Sequence, residues 1–326
     1  MSDKIRAIGI LTSGGDSPGM NPAIRSIVRS AIGHNIKVYG IKRGFQGLVN
    51  NDMEELNASS VGNIIQRGGT ILYTSRLPEF KNKDIRNKAA DNLKHRDIDA
   101  LVVIGGDGSF KGAIALNEEC GIPVIGIPGT IDNDISGTDY TIGFDTAVET
   151  AIEAVDKIRD TAFSSERTFL IEVMGAKTSS IAIQVGICTG AENILLNNEE
   201  VNYENIAEDI TRGIKRGKNS SIIIVAEGEK PGRSYDIAKK LEKDHGINSR
   251  VCVLGHTQRG GAPSASDRFF ASLMGKMAID ELIKGKTQNA IVVRGSKVGS
   301  VPLKDCAQKS DHAMTDFISI ARELSI

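Results

Sequence analysis

The sequence predicts an α/β protein built on a mainly parallel sheet with helices on both faces. Short apolar runs of strand length alternate with amphipathic stretches of helical period through most of the chain. This alternation indicates repeated strand–helix units, because parallel strands need a long connection that is usually a helix. A length of 326 residues is also enough for two domains, each with its own core.

The expected elements follow one another in order, and no Pro/Ser-rich linker separates them. If there are two domains, we therefore expect the chain to cross between them more than once. The apolar runs predict strands over Ile8–Leu11, Val38–Ile41, Ala100–Ile104, Val124–Ile127, Phe169–Val173, Ile194–Leu196, Ile222–Ala226, Val251–Leu254 and Ala290–Val293. The helical patterns between them include Ala23–Ile32, Ile85–Leu93, Ala147–Ile158, Tyr235–Leu241 and Phe269–Leu282.

The composition argues against several classes of protein. Lys and Arg total 40 against 41 Asp and Glu, so a formal net charge of -1 gives no reason to expect nucleic acid or an acidic membrane surface as partner. The apolar runs are far shorter than the ~20 residues of a membrane-spanning helix. The N-terminal apolar stretch ends at Leu11, too early for a signal peptide, which predicts a cytoplasmic protein. The four cysteines form no C-x-x-C pair and are interpreted as bystanders.

The glycine-rich segment Gly105–Ser109 follows the third predicted strand. Ligands of parallel α/β sheets bind beyond the carboxyl ends of the strands. A helix begins near Phe110, so backbone N–H groups and the helix dipole favour an anion here. The segment matches neither the P-loop nor the dinucleotide fingerprint. A plain strand-to-helix turn is the alternative, although it explains three glycines around one aspartate less well. Asp107 has the oxygen chemistry that Mg²⁺ prefers.

Two other strand ends carry related signals. Thr12–Asp16 follows the first strand and predicts a second anion-binding turn, or else an N-terminal loop capped by Ser17 or Asp16. Residues 130–134 follow the fourth strand and contain Asp132 and Asp134, which would point the same way in an extended segment. Phosphoryl transfer to an alcohol needs one carboxylate to accept the hydroxyl proton and another to hold metal or orient the first. A solvated Asp/Asn turn is the alternative.

Several basic residues, separated in sequence, fit a phosphate monoester. Arginine makes bidentate contacts with phosphate, although any single arginine is more often a surface ion pair. Arg250 and Arg259 flank the strand end that carries His256, which makes them the stronger candidates of a set that also includes Arg76 and Arg167.

Taken together, these segments resemble the bacterial ATP-dependent 6-phosphofructokinases, the phosphofructokinase A family. The resemblance runs from residue 5 to about residue 285 and rests on five motifs, although Gly-Gly-Asp-Gly-Ser alone also occurs in other kinases. The motifs are Ser13-Gly14-Gly15-Asp16-Ser17-Pro18-Gly19-Met20-Asn21, Gly105-Gly106-Asp107-Gly108-Ser109, Pro128-Gly129-Thr130-Ile131-Asp132-Asn133-Asp134, Glu172-Val173-Met174-Gly175 and Leu254-Gly255-His256-Thr257-Gln258-Arg259-Gly260-Gly261.

The resemblance implies two Rossmann-like domains with mainly parallel sheets flanked by helices and an active site in the cleft between them. The larger, ATP-binding domain would comprise residues 1–143 and 258–308, and the smaller, fructose-6-phosphate-binding domain residues 144–257 and 309–326. The implied reaction is ATP-dependent phosphorylation of fructose 6-phosphate to fructose 1,6-bisphosphate, the committed step of glycolysis.

The resemblance also implies a role for individual residues. Asp132 would be the general base, with Thr130, Asp134 and Arg76 as further catalytic residues, and Asp107 would hold Mg²⁺. ATP would contact Gly14, Arg76, Leu77, Gly106, Asp107, Gly108 and Ser109. Fructose 6-phosphate would contact Thr130, Asp132, Met174, Gly175, Glu227, His256 and Arg259, together with Arg167 and Arg250 from a neighbouring subunit. Shared active sites of this kind imply a homotetramer.

The phosphoryl donor depends on two positions. Pyrophosphate-dependent relatives carry Asp at the position of Gly108 and Lys at that of Gly129, where the side chains fill the nucleotide region. Glycine at both positions here predicts open space for the rest of ATP. A pyrophosphate-dependent or other sugar-phosphate kinase remains the alternative enzyme. A catalytically silent nucleotide-binding regulatory subunit is the alternative from another class, but such a protein would typically lack one of the carboxylates.

Some positions depart from the family pattern. Ala176–Ser180 replaces a segment that usually begins with arginine, which predicts altered substrate affinity. The effector site for ADP or phosphoenolpyruvate is matched only in part, since Ala58 and Asn63 stand where arginine and aspartate occur. We therefore expect weakened or absent inhibition by phosphoenolpyruvate. The matching effector residues are Arg25, Arg29, Arg159, Glu192, Arg216 and Lys218.

Overall fold

The computed structural model of the chain describes residues 5–175, 178–197, 199–308 and 316–324. The chain divides into a first unit, Met1–Thr146 with Arg259–Ser310, and a second unit, Ala147–Gln258 with Asp311–Ile326. The predicted domain boundaries differ from these by one to three residues: 143 against 146, 258 against 259 and 308 against 310. Which ligand each domain binds remains a prediction.

The described strands and helices alternate along most of the chain. The strands are β1 (Ala7–Ser13), β2 (Lys37–Ile41), β3 (Met53–Leu56), β4 (Ala100–Gly105), β5 (Val124–Pro128), β6 (Thr168–Val173), β7 (Asn193–Leu195), β8 (Ser221–Ala226), β9 (Ser249–Val253), β10 (Asn289–Arg294) and β11 (Lys297–Pro302). The α-helices are α1 (Met20–Gly33), α2 (Gly44–Asn50), α3 (Lys83–His95), α4 (Asp107–Cys120), α5 (Phe144–Ser165), α6 (Ser180–Thr189), α7 (Tyr203–Lys215), α8 (Arg233–His245), α9 (Ala265–Ile283), α10 (Leu303–Cys306) and α11 (Asp316–Leu324). Short 3₁₀ helices cover Pro78–Lys81 and Gly255–Arg259.

The first unit contains a seven-stranded sheet in the order β11-β10-β5-β4-β1-β2-β3. Its inner pairs are parallel, while β3 and β11 run antiparallel to their neighbours. Successive residues of β4 face opposite sides, so that Val102 packs with Ile24 of α1 and Met274 of α9, and Val103 packs with Phe110 of α4. Both faces are therefore covered, which explains why the run Ala100–Ile104 is apolar throughout.

The second unit contains a smaller sheet in the order β7-β8-β6-β9, and all of its pairs are parallel. Leu170 of β6 and Ile223 of β8 lie in one core cluster with Ile206 of α7 and Leu241 of α8. Helix α6 contacts β7 and β8. The predicted α/β class, with mainly parallel sheets flanked by helices, is confirmed. None of the helices in the part of the chain that the structure describes is long and apolar enough to cross a membrane.

Candidate active site

Three of the predicted strand ends lie side by side at the carboxyl edge of the larger sheet. Ser13 at the end of β1 pairs with Gly105 at the end of β4, and Gly105 pairs with Pro128 at the end of β5. The backbone N–H of Gly129 also donates to the carbonyl of Gly105 at 3.1 Å. The parallel register therefore brings the predicted anion-binding turn, the glycine-rich segment and the carboxylate segment to one edge.

The glycine-rich segment makes a tight strand-to-helix turn. A Cβ on Gly105 would lie 2.5 Å from the Ser13 carbonyl oxygen and 2.6 Å from Ser109 Oγ, so only glycine fits. Helix α4 begins at Asp107, and its N-cap residue Gly106 offers no side-chain cap. The first N–H groups of a helix have no acceptor within that helix, and together with the helix dipole they favour a phosphate at this end.

Asp107 is the metal candidate at this turn. Its side chain is 24% exposed, and its Oδ2 lies 3.2 Å from Lys111 Nζ, one turn further along α4. Among residues 5–175, 178–197, 199–308 and 316–324, no group of three or more His, Cys, Asp or Glu side chains could hold a metal ion. A single carboxylate beside a phosphate cradle fits Mg²⁺, which proteins usually bind through one or two carboxylates plus substrate phosphates and water.

The carboxylate segment is a turn that closes back on β5. The N–H of Asp132 donates to Thr130 Oγ1 at 3.2 Å, and Thr141 Oγ1 donates to the Thr130 carbonyl at 2.7 Å. The segment is not extended, because Asn133 between the two aspartates has a left-handed φ of 48°. Asp132 is consequently half-buried, whereas Asp134 is buried. The two carboxylates therefore occupy different environments and suit different roles.

The segment that carries Arg76 and Leu77 is fastened to the end of β1. Thr12 Oγ1 donates to the Tyr73 carbonyl at 2.8 Å, and Thr74 Oγ1 donates to the Gly14 carbonyl at 2.9 Å. Arg76 is exposed next to this anchor. Leu77 is half-buried and packs against the core on the α4 side of the sheet.

Arg259 lies at the first anion-binding turn. Its Nη1 donates to the Asp16 carbonyl at 2.9 Å, and a Cβ on Gly15 would lie 2.5 Å from the same nitrogen. The sequence pattern grouped Arg259 with His256, whereas the structure brings its guanidinium beside the residues that follow β1.

The two glycines expected to decide the donor differ in their surroundings. A Cβ on Gly108 would meet no heavy atom within 4 Å, as the prediction of open space requires. A Cβ on Gly129 would lie 3.0 Å from Ile104 Cγ2 and 3.4 Å from Met20 Cε. A side chain at 129 would therefore need Ile104 to give by a few tenths of an ångström, so packing also favours a small residue there and its size is not by itself a sign of donor choice.

In the second unit, four predicted substrate residues lie at or beyond the carboxyl ends of three neighbouring strands. Met174 is buried and Gly175 has φ 121°, directly after β6. Glu227 follows β8, and its N–H donates to the Val173 carbonyl at 2.9 Å. His256 is exposed in the 3₁₀ helix after β9. Ala176 and Lys177, in the departing segment 176–180, lie outside the described residues.

Arg167 and Arg250 lie at the other edge of the same sheet. Arg167 immediately precedes β6, and Arg250 pairs with Phe169. At ~3.3 Å per residue, the register position of Phe169 is roughly 16 Å from that of Met174. Both arginines are exposed. The structure therefore does not bring them together with Met174 and Gly175 in one chain.

The residues matched to the effector site are distributed over both units. In the first unit, Arg25 and Arg29 lie one turn apart on α1, and Ala58 and Asn63 are exposed. In the second unit, Arg159 Nη2 donates to the Thr189 carbonyl at 2.5 Å, and Arg216 caps the end of α7. Lys218 pairs with the buried Glu192, which also accepts from the Ile222 N–H at 2.5 Å.

Sequence reasoning assigned no role of its own to the buried carboxylate Glu172 in the second unit. Its oxygens accept from the Gly232 N–H at 2.6 Å, the Ser234 N–H at 2.8 Å and Ser234 Oγ at 2.6 Å. Glu172 therefore supplies the acceptors that α8 lacks at its own N-cap, Gly232. The sequence signal that could have identified Glu172 is a carboxylate within the otherwise apolar run Phe169–Val173.

Comparison with known proteins identifies the family. The sequence profile of the phosphofructokinase family matches residues 7–282. The chain belongs to this family. It is 50% identical over 324 residues to the ATP-dependent 6-phosphofructokinase of Staphylococcus epidermidis, covering 99% of this chain and 100% of that protein. It is 51% identical over 322 residues to the ATP-dependent 6-phosphofructokinase of Bacillus thuringiensis, again covering 99% and 100%.

Solved phosphofructokinase structures share the fold. The phosphofructokinase of Saccharomyces cerevisiae superposes with a TM-score of 0.86 at 33% identity, covering 98% of this chain and 48% of that chain. This phosphofructokinase chain thus spans about half the length of the yeast one. The pyrophosphate-dependent phosphofructokinase of Marinobacter aquaeolei has a TM-score of 0.83 at 21% identity, covering 97% and 91%. The family predicted from the five motifs is confirmed.

Proposed function

We propose that the protein transfers the γ-phosphoryl group of ATP to the 1-hydroxyl of fructose 6-phosphate, giving fructose 1,6-bisphosphate and ADP. One observation carries this proposal. The glycine-rich cradle at the end of β4 and the Asp132 turn at the end of β5 lie on neighbouring strands in register. A phosphate cradle beside a carboxylate base is what phosphoryl transfer to an alcohol needs. The full-length relatives named ATP-dependent 6-phosphofructokinase agree with it.

In the proposed mechanism, the nucleotide phosphates lie at Gly14 and at Gly106–Ser109. Asp132 accepts the proton of the sugar hydroxyl. At the same time the hydroxyl oxygen bonds to the γ-phosphorus, and the bond between the γ-phosphorus and the bridging oxygen of ADP breaks. Mg²⁺, when held by Asp107, would neutralise charge on the phosphates. Arg76 would stabilise the charge on the transferring group. Thr130 keeps the turn in shape by accepting from the Asp132 N–H.

The sugar phosphate would be bound by Met174, Gly175, Glu227 and His256, with Arg259 as a further cation. Its phosphate would meet Arg167 and Arg250 of a second copy. Along the sheet, the register position of Arg250 is ~16 Å from Met174 and that of Arg167 is ~23 Å from it. These separations support a shared site, because one small ligand cannot span them. A homotetramer with active sites completed between subunits is therefore proposed.

ATP is the proposed donor rather than pyrophosphate. The open space at Gly108 supports this choice, because the nucleoside part of ATP needs room next to the cradle. Gly129 gives weaker support, since close packing against Ile104 also favours a small residue there. A pyrophosphate-dependent enzyme would use the same Asp107 and Asp132, so the direct test of the donor is an assay with each.

The test is the initial rate of fructose 1,6-bisphosphate formation from fructose 6-phosphate and Mg²⁺, with ATP or with pyrophosphate. We expect turnover with ATP only, and a loss of ~10²–10⁴-fold in Asp132→Asn, as removal of a general base predicts. Asp91→Asn, at an exposed position on α3, is the matched control and should keep the wild-type rate. Turnover with pyrophosphate instead would refute the donor, and no turnover with either would favour another acceptor or a regulatory subunit.

A further inference from the structure

A fully buried carboxylate in the first unit has no part in the proposed mechanism. Asp267, in the first turn of α9, is 0% exposed. Its Oδ1 accepts from Tyr140 Oη at 2.7 Å and from the Gly143 N–H at 2.6 Å. Its Oδ2 accepts from the N–H of Thr146 at 2.9 Å and from Thr146 Oγ1 at 2.5 Å. One side chain thus holds four donors from residues 140–146.

The segment held by Asp267 is also bonded to the turn of the proposed base. Thr141 Oγ1 donates to the Thr130 carbonyl at 2.7 Å, and the Ile142 N–H donates to the Pro128 carbonyl at 3.0 Å. Thr130 in turn accepts from the Asp132 N–H. Hydrogen bonds joined by short stretches of backbone therefore connect α9, through residues 140–146, to the backbone of Asp132.

The surroundings leave this segment little room to shift. A Cβ on Gly143, whose φ is 103°, would lie 2.5 Å from Ser17 Cβ. A Cβ on Gly19, whose φ is 118°, would lie 2.5 Å from Ile142 Cγ2 and 3.5 Å from Asp267 Cβ. At both glycines the backbone is therefore packed so closely against its neighbours that a Cβ would not fit.

Helix α9 gives Asp267 a rigid base. Ser26 Oγ of α1 donates to the Ser272 carbonyl at 2.5 Å, and a Cβ on Gly275 would lie 2.8 Å from the Ala23 carbonyl oxygen. Burial raises the pKa of Asp267, while the hydrogen bonds from Thr146, Tyr140 and Gly143 act in the opposite direction. Burial and the neighbouring Asp267 also raise the pKa of Tyr140, so its hydroxyl stays a donor.

We propose that Asp267 is a positioning residue that holds residues 140–146, and through them the Asp132 turn, in the geometry that phosphoryl transfer requires. This inference rests on the proposed function. Asp267 acts through Thr130 and the backbone and touches no reacting atom. Its contribution should therefore affect kcat far more than the KM for ATP, because the nucleotide cradle at β4 lies outside the segment it holds.

The test is Asp267→Asn, which keeps the shape and replaces one acceptor oxygen by an NH₂ group, so that part of the donor set loses its partner. We expect kcat to fall by about 10- to 100-fold, as a misplaced catalytic group would predict. The KM for ATP should change by less than about threefold, and hydrogen–deuterium exchange should rise in peptides covering 129–146 but not in 100–120. Asp280→Asn, on the same helix in an ion pair with Lys276, is the matched control and should change none of these values.

The outcomes separate this inference from the proposed function. If wild type turns over and a folded Asp267→Asn keeps its kcat and its exchange pattern, the inference is overturned and the function stands. Exchange that rises equally throughout the first unit would also overturn it, because that would show a general loss of stability. If wild type has no turnover, the proposed function fails. The exchange pattern then decides whether Asp267 holds the Asp132 turn: a rise confined to 129–146 supports this, and an unchanged pattern overturns it. If Asp267→Asn does not fold, Tyr140→Phe serves as the second variant, because it removes one of the four donors. It is expected to lower kcat and to raise exchange in 129–146. A Tyr140→Phe variant with the kcat and exchange of wild type would count against the inference.

Discussion

The two sheets use their edges differently. In the larger sheet, the predicted phosphate and base residues follow β1, β4 and β5 and meet at one carboxyl edge. In the smaller sheet, Met174, Gly175 and Glu227 lie at the carboxyl edge, whereas Arg167 and Arg250 lie at the amino edge. The difference teaches that residues following parallel strands come together within one chain, whereas residues at the opposite edge do not join them, which is why we propose that Arg167 and Arg250 act from a second chain.

The physical reason lies in the element next to each end of a strand. The carboxyl end leads into a helix N-terminus, which presents N–H groups and a favourable dipole to an anion. The amino edge offers no such feature, so its arginines act only through their own side chains. Exposed guanidinium groups such as those of Arg167 and Arg250 remain available to a phosphate on another molecule.

The largest expected effect tests this division by mixing two defective variants. Asp132→Asn lacks the base, and Arg250→Ala lacks a cation of the opposite edge. Co-assembled in equal amounts, the two should regain about a quarter of the wild-type sites, because a hybrid site takes Asp132 from one chain and Arg250 from the other. The measurement is the rate at low fructose 6-phosphate before and after joint refolding. A mixture no more active than the mean of its parents would show that each site lies in one chain.

A smaller effect is expected at the nucleotide side of the larger sheet. Gly108→Asp adds a carboxylate next to Asp107, and repulsion of the ATP phosphates should raise the KM for ATP by about 10-fold. Gly108→Ala is the matched control and should behave like wild type, since its Cβ meets no heavy atom within 4 Å. The measurement is the KM for ATP of both variants, from steady-state kinetics with varied ATP. Equal values for Gly108→Asp and wild type would mean that this position does not face the nucleotide.

In the smaller sheet, Glu172→Gln tests the support of the carboxyl edge. Loss of the charged acceptor at the start of α8 should lower the free energy of unfolding by about 1–3 kcal/mol. It should also raise the KM for fructose 6-phosphate a few-fold, because α8 follows the Glu227 loop. Glu242→Gln, exposed on the same helix, is the control for denaturant titration and kinetics. If the KM for ATP rises instead, the proposal that the larger sheet binds ATP and the smaller sheet binds fructose 6-phosphate is contradicted.

The smallest effect concerns the helix that carries the cradle. Arg86 of α3 binds Glu119 of α4 through two hydrogen bonds of 2.7 and 2.6 Å. The hydrogen bond from Arg86 lowers the pKa of Glu119 below its ordinary value of 4.5. The stability from this pair is therefore present above pH 4.5 and is lost as pH falls through the lowered pKa. In unfolding titrations, the free energy of unfolding of wild type should exceed that of Glu119→Gln near neutral pH, and the two values should converge in acid. A difference that persists in acid would show that the Arg86–Glu119 ion pair is not its cause.

The sequence predicted the buried parts of the fold best. Runs such as Ala100–Ile104 indicate strands because both of their faces meet core residues. The edge strands β3 and β11 were missed, since Met53–Leu56 and Lys297–Pro302 mix exposed polar residues with few apolar ones.

The site was predictable where the chemistry is local and not where it depends on folding. The Asp107 turn is visible in the consecutive residues Gly105–Ser109. The left-handed Asn133, which separates the environments of Asp132 and Asp134, follows from the closed turn and not from its composition. Asp267 lies more than 120 positions from the donors it holds, so no local pattern reveals it.

The unequal surroundings of Gly108 and Gly129 impose an order on any change of phosphoryl donor in this protein. A side chain at 108 enters free space and can be introduced first without disturbing the fold. A side chain at 129 would press on Ile104 Cγ2 at 3.0 Å, so it requires this neighbour to give by a few tenths of an ångström. If these two positions set the donor as proposed, a stepwise mutational route between the donors begins at 108, and its second step depends on how far Ile104 can shift.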